Sequence, residues 1–179
     1  MKFSELIRNR RSCRAYQTKT IAEHDIKQIV KTVLLSPSSK INRPWEFILV
    51  DDKELLIKLS QSKPYGSAFL KDAPLGIVII ADPTKSDVWI EDTSIAGTVL
   101  QLVAEDLGLG SCWIQIRQRA HSDQISASDY IKEILEIPDQ FEVASIIAIG
   151  YKLQERRPYI DEDINFTKVH NNQFPIDAN

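Results

Sequence analysis

The sequence predicts one globular domain that mixes helices and strands, and three observations carry the prediction. Apolar residues recur at helical spacing in five stretches, with four strand-like apolar runs set among them. Hydrophobic residues make up 43% and charged residues 26% of 179 positions, the composition of a chain that buries a core. Finally, no glycine-rich GxGxxG follows the first strand. The glycine-dense stretch Gly108-Leu109-Gly110 closes a helix and enters a strand, the wrong order for a dinucleotide fold. A parallel, doubly wound sheet, which alternating strands and helices ordinarily suggest, is therefore the second choice.

Phe3, Leu6 and Ile7 mark a short amphipathic helix that ends in the polar run 8–12. Ile26, Ile29, Val30, Val33 and Leu34 repeat the helical period until Pro37 and its neighbouring serines open a loop. Trp45, Phe47 and Leu49 alternate as a strand does, and a helix over residues 53–60 follows Asp51-Asp52. Residues 75–81 form an almost unbroken run rich in isoleucine and valine, which predicts a strand buried on both faces at the centre of the sheet. Over 87–107 the spacing predicts a long helix with Asp87 as N-cap and Gly108 as its C-terminal glycine. Ser94, Ala96, Gly97 and Ala104 make that helix approachable, so it is expected to be deeply packed. Residues 111–116 read as a strand, Ser122 as the start of a helix that Pro138 excludes from continuing, and 143–149 as a last buried strand. Beyond Gly150 the chain is polar and proline-punctuated, so 1–179 is read as a single domain with about 159–179 as a C-terminal extension.

A net charge of −3 gives no general attraction to nucleic acid or to an anionic membrane. The longest apolar run, 73–81, is about half the length that spans a bilayer, and the N-terminus lacks the apolar core of a secretory signal. Cys13 and Cys112 have no partners at zinc-ligand spacing, so both are expected to be reduced thiols in a cytoplasmic protein with no metal. His24, His121 and His170 are not part of a hydrolase signature such as GxSxG. Glu91-Asp92 are adjacent on a helix and do not face each other, so they read as solvent contacts or a structural anchor.

Three segments carry candidate chemistry, and each also has a plain structural reading. Arg10-Arg11-Ser12-Cys13-Arg14 places three guanidiniums and a hydroxyl within five residues, either a solvated helix terminus or a grip for a phosphate. In an extended segment Arg10, Ser12 and Arg14 project together while Arg11 points elsewhere. The segment 36–45 is either turn chemistry leading to a core tryptophan, or a polar loop that contacts a ligand with Trp45 as a pocket wall. The segment 107–116 is either a helix cap and buried strand, or a backbone that approaches a flavin and stabilises its reduced form through fixed N–H groups. Cys112 reads as a small core residue rather than a nucleophile.

Taken in order, RRSCR with Tyr16, SPSSKINRPWEF, EDTSIAGTVLQLVAEDLGLGSCWI and AIGYKLQERRPY resemble the motifs of the nitroreductase-like FMN-dependent oxidoreductases, from about Phe3 to Tyr159. The resemblance implies an α+β fold with a central, mostly antiparallel sheet flanked by helices, and an intertwined homodimer with FMN in two equivalent clefts. It implies that Arg10, Ser12 and Arg14 hold the FMN phosphate, with Arg11 counted in the same cofactor-binding motif and Arg156 or Arg157 returning from the other end of the chain. Pro37, Ser38, Ser39 and Asn42 would reach the flavin from the partner subunit. Trp113, Ile114 and Gln115 would lie along the ring, with the backbone near Gln115 at flavin N5 and no catalytic side chain. The family's asparagine and glutamine before Pro-Trp are here Ile41 and Arg43, with Asn42 displaced by one position, so Arg43 either replaces an amide donor or favours an anionic substrate. The implied activity is ping-pong hydride transfer from NADH or NADPH to a small electron-poor acceptor; the alternative is a flavin-binding carrier or sensor without turnover.

Overall fold

The computed structural model describes residues 2–174. Four strands form one sheet in the order β1-β2-β4-β3: β1 (Trp45–Val50), β2 (Leu75–Ala81), β3 (Gly110–Gln115) and β4 (Glu142–Gly150). Every adjacent pair is antiparallel, so the fold is α+β and the doubly wound alternative does not hold. The expected central strand is β2, fully buried along its length and paired on both edges; β4 shares the centre with it. Edge strand β1 is buried only at Trp45 and Val50, as expected of a strand whose outer face meets solvent.

Five helices cover the two faces: α1 (Phe3–Asn9), α2 (Glu23–Val33), α3 (Lys53–Ser60), α4 (Trp89–Asp106) and α5 (Ala127–Leu135). On one face α2 and α4 pack through Ile29, Val33, Ala96, Leu100 and Ala104 against Ile77, Ile79 and Ile147. On the other, α3 and α5 pack through Leu56, Leu59 and Ile131 against Val78, Ile114 and Ile146. Alternating strand residues feed the two layers, which is why unbroken apolar runs suit the central strands.

Two helix starts differ from the sequence expectation. The N-cap of α4 is Val88 rather than Asp87, with no side-chain cap, because the nearby Ser86 hydroxyl donates to buried Asp92 (2.8 Å). The last helix starts at Ala127 because Ser126 accepts from the Asp129 N–H and donates to the Asp129 carboxylate. Ser122 instead accepts main-chain N–H bonds from Gln124 and Ile125 in the preceding turn. At the far end of α4, Gly108 takes the expected left-handed position (φ 73°), with Leu109 N–H on the Ala104 carbonyl and Gly108 N–H on that of Glu105. That cap turns the chain directly into β3.

Candidate functional site

Because β3 is an edge strand, its outer main-chain groups have no strand partner beyond its first residues. The Ser111 carbonyl accepts from Cys13 N–H (2.8 Å), and Ser12 bridges Ser111 in parallel, so the N-terminal arm docks on this edge. Backbone direction alternates along a strand, so Trp113 and Gln115 also turn their N–H and C=O groups outward. The Gln115 carbonyl accepts from Lys63 Nζ at 3.0 Å, as that alternation requires.

At the Ser111 end the N-terminal arm meets the segment after β4. A cleft of about 260 Å³ lies between Arg11, Ser12 and Arg14 on one side and Lys152 and Arg156 on the other. Among the described residues Arg10, Arg14 and Arg156 have no ion-pair partner. Ser12 and Arg14 line the cleft and Arg10 is not among its lining residues, while burial pushes the Cys112 thiol up. Cys112 is thus a buried, inert thiol. Arg11 lines the cleft too, but its guanidinium is engaged there by the protein: it donates to the Arg157 carbonyl and lies 4.3 Å from the Tyr159 ring centre. Arg157 itself pairs with Asp163 at 3.0 Å, so of the two late arginines it is Arg156 that faces the cleft.

Sequence reasoning missed Lys152. Its ammonium meets the Glu105 carboxylate at 2.8 Å and Glu155 at 3.4 Å. Burial alone would lower Lys152, but the hydrogen bond and charge of Glu105, with help from Glu155, raise it. Lys152 therefore enters the cleft already balanced, and the surplus positive charge belongs to the arginines. The glycines of β3 serve protein packing: a Cβ on Gly110 would stand 2.7 Å from Cys13 Cβ and 2.8 Å from Lys152 Cγ.

The faces of β3 sort the remaining candidates. Trp113 lies on Gly97 of α4 so closely that a Cβ there would overlap its ring, which explains the small residue on that helix. Trp113 Nε1 donates to Gln115 Oε1 (3.0 Å) and Gln115 Nε2 to the Arg117 carbonyl (2.9 Å), so both side chains are committed within the protein. Ile114 is fully buried in the opposite layer. The groups open to a ligand beside this edge are the main-chain N–H groups of Trp113 and Gln115 rather than side-chain termini.

Pro37, Ser38, Ser39 and Asn42 do not line this cleft. Their loop is held by Asp92, 2% exposed, which accepts from Ser39 N–H (2.8 Å) and from Ser86. Of the adjacent carboxylates, Asp92 is the structural anchor and Glu91 is exposed. Asp92 falls on the apolar stripe with Ala96 and Leu100, and a carboxylate on such a stripe signals a buried anchor. Arg43 N–H donates to Ser38 Oγ within the same loop. Trp45 is a core residue, 5% exposed with its ring centre 5.2 Å from that of Phe47, and is not among the residues that line this cleft.

Unpaired arginines and a hydroxyl at one end of an open strand edge, with free main-chain N–H groups further along it, fit a planar cofactor that carries a terminal phosphate, as FMN does. No described helix is long and apolar enough to cross a membrane.

Comparisons with known proteins identify the family. The Nitroreductase family profile matches residues 7–63 and 53–151. An Archaeoglobus fulgidus relative, provisionally named an NADH dehydrogenase/NAD(P)H nitroreductase, is 35% identical over 93% of this chain and 95% of its own. A Bacillus subtilis FMN reductase [NAD(P)H] is 25% identical over 91% and 72%. The solved structure of an FMN-dependent nitroreductase from Clostridium difficile R20291 superposes with a TM-score of 0.95 at 51% identity, covering 96% of this chain and 100% of that one. The chain belongs to the nitroreductase family.

Proposed function

We propose that the chain is an FMN-dependent oxidoreductase that takes hydride from NADH or NADPH and delivers reducing equivalents to a small electron-poor acceptor, such as a nitroaromatic or a quinone. The observation that carries this reading is the meeting of Ser12, Arg14 and Arg156 at the Ser111 end of the open β3 edge. The names of the Clostridium difficile structure and the Bacillus subtilis reductase support it.

Arg14, Ser12 and Arg156 bind the phosphate, with Arg10 adding charge from behind and Arg11 tying down the C-terminal segment. When bound, FMN supplies the two-electron chemistry. The Gln115 N–H, turned outward while its carbonyl is held by Lys63, is the donor assigned to flavin N5. The chain contributes fixed dipoles and position rather than an acid or base, so donor and acceptor use the same face in turn.

The working unit of this proposal is a homodimer. The loop with Pro37, Ser38, Ser39 and Asn42 is anchored away from its own cleft, which suits contacts to a partner's flavin. Apolar side chains of the C-terminal segment, among them Phe166 and Phe174 at 75% exposure, lack cover in the single chain and suit burial on a second copy. The cytoplasm is the assigned location, in keeping with two free thiols.

FMN-loaded protein is expected to oxidise NADH or NADPH steadily once a nitroaromatic or quinone is supplied. Yellow protein that never turns over with either donor would contradict the enzyme and indicate a flavin carrier or sensor.

A further inference from the structure

The Gln115 end of β3 carries a second group of cations that the flavin phosphate does not use. A cleft of about 520 Å³ opens there between α3 and the turn of residues 68–72, with Lys63, Lys71 and His121 among its walls. Lys63 reaches the Gln115 carbonyl, which ties this cleft to the strand edge. Burial and the nearby Arg119 both lower the Lys63 ammonium, so the site already strains to hold its positive charge. No carboxylate lines the cleft, and among the described residues Lys63, Lys71 and Arg119 have no ion-pair partner. His121 is fixed by stacking on Tyr130 (3.8 Å between ring centres, 10° between planes) and by Nδ1 at 3.0 Å from the Gln61 carbonyl.

Cations held together without counter-charge disfavour one another, and an anion relieves them. Two anionic ligands sharing one strand edge must separate their charges. Ser111 and Gln115 are four residues apart, roughly 13 Å along a strand. With one phosphate at the Ser111 end, a second phosphate-bearing molecule stacked on the same ring is driven toward the Gln115 end.

We propose that the cleft of Lys63, Lys71 and His121, with Arg119 beside Lys63, binds phosphate groups of the nicotinamide dinucleotide donor. The inference rests on the FMN-oxidoreductase reading above and adds the residues that select a charged donor. Neither the pyrophosphate nor the 2′-phosphate is favoured by the chemistry of the cleft alone, and the experiment separates them.

FMN-loaded wild type, Lys71→Gln and Arg119→Gln are compared at constant ionic strength with NADPH, NADH and the phosphate-free 1-benzyl-1,4-dihydronicotinamide. The expected result is a rise of about tenfold in the KM for a dinucleotide relative to that for the phosphate-free donor, the scale of one charge-assisted hydrogen bond. An equal rise for NADH and NADPH assigns the pyrophosphate; a rise for NADPH alone assigns the 2′-phosphate. Ratios within twofold of wild type in both variants, while wild type oxidises all three donors, would overturn this inference and leave the parent reading intact. A wild type that oxidises none of them would overturn both.

Discussion

At both ends of β3 the cations come from chain segments distant in sequence, but at the Ser111 end one of them, Lys152, arrives with its own carboxylate, whereas at the Gln115 end no carboxylate lines the cleft. The first group is screened from itself and leaves two or three arginines for a ligand. No carboxylate lines the second cleft, where burial and then the nearby Arg119 lower the Lys63 ammonium. On the reading proposed above, one open strand edge would seat the phosphate of a resident cofactor at one end and those of a visiting donor at the other.

The comparison depends on β3 keeping its place against α4, and Gly97 tests that most severely. Gly97→Leu forces a side chain into the Trp113 ring. A loss of about 3 kcal/mol in chemical denaturation is expected, together with loss of FMN retention. A variant of wild-type stability would show that the Trp113 packing does not position the edge.

Next in size is the difference between the two late arginines. Arg14→Ala and Arg156→Ala are each expected to weaken FMN binding about tenfold or more in fluorescence titration, the worth of a charge-assisted contact. Arg157→Ala is expected to change it less than twofold, since its guanidinium is spent on exposed Asp163. Equal effects at 156 and 157 would break the assignment of the cleft.

The smallest effect concerns Tyr16, which fastens the arm under the Ser111 end by donating to the Cys13 (2.6 Å) and Ala148 (3.3 Å) carbonyls. Burial, then the neighbouring thiols, raise its phenol far above the ordinary value. The folded state therefore keeps a proton that the unfolded chain releases near pH 10, so stability is full below about pH 10 and falls above it. Tyr16→Phe is expected to cost roughly 1 kcal/mol at neutral pH and to shrink the alkaline decline. Lys152, also raised, adds a decline of the same sign above its unfolded value and remains in the variant. Identical alkaline slopes in urea titrations of the two proteins would contradict the role of Tyr16.

Periodicity made most of this fold legible. The buried run at 75–81 reads as the central strand and 143–149 as a last buried strand, and Gly108 marks the end of α4. Strand direction was not legible in the periodicity, because antiparallel pairing between distant strands leaves no local trace; the motif order supplied it through resemblance. The start of α5 was misread because two candidate serines lie four residues apart and Ser126, not Ser122, meets the Asp129 N–H; at α4 the expected Asp87 gives way to Val88, which caps with no side chain. In the site, the arginine cluster is legible in the sequence, whereas the engagement of Arg11 by the Arg157 carbonyl is not. Glu105–Lys152 and Lys63–Gln115 join residues 47 and 52 positions apart, so only the fold brings them together.

The most direct test is flavin retention by the purified chain. After incubation with excess FMN and desalting, the protein is expected to stay yellow, with a flavin absorbance band near one FMN per chain, and Arg14→Ala to lose that band at low FMN. A wild-type preparation that emerges colourless would contradict the account.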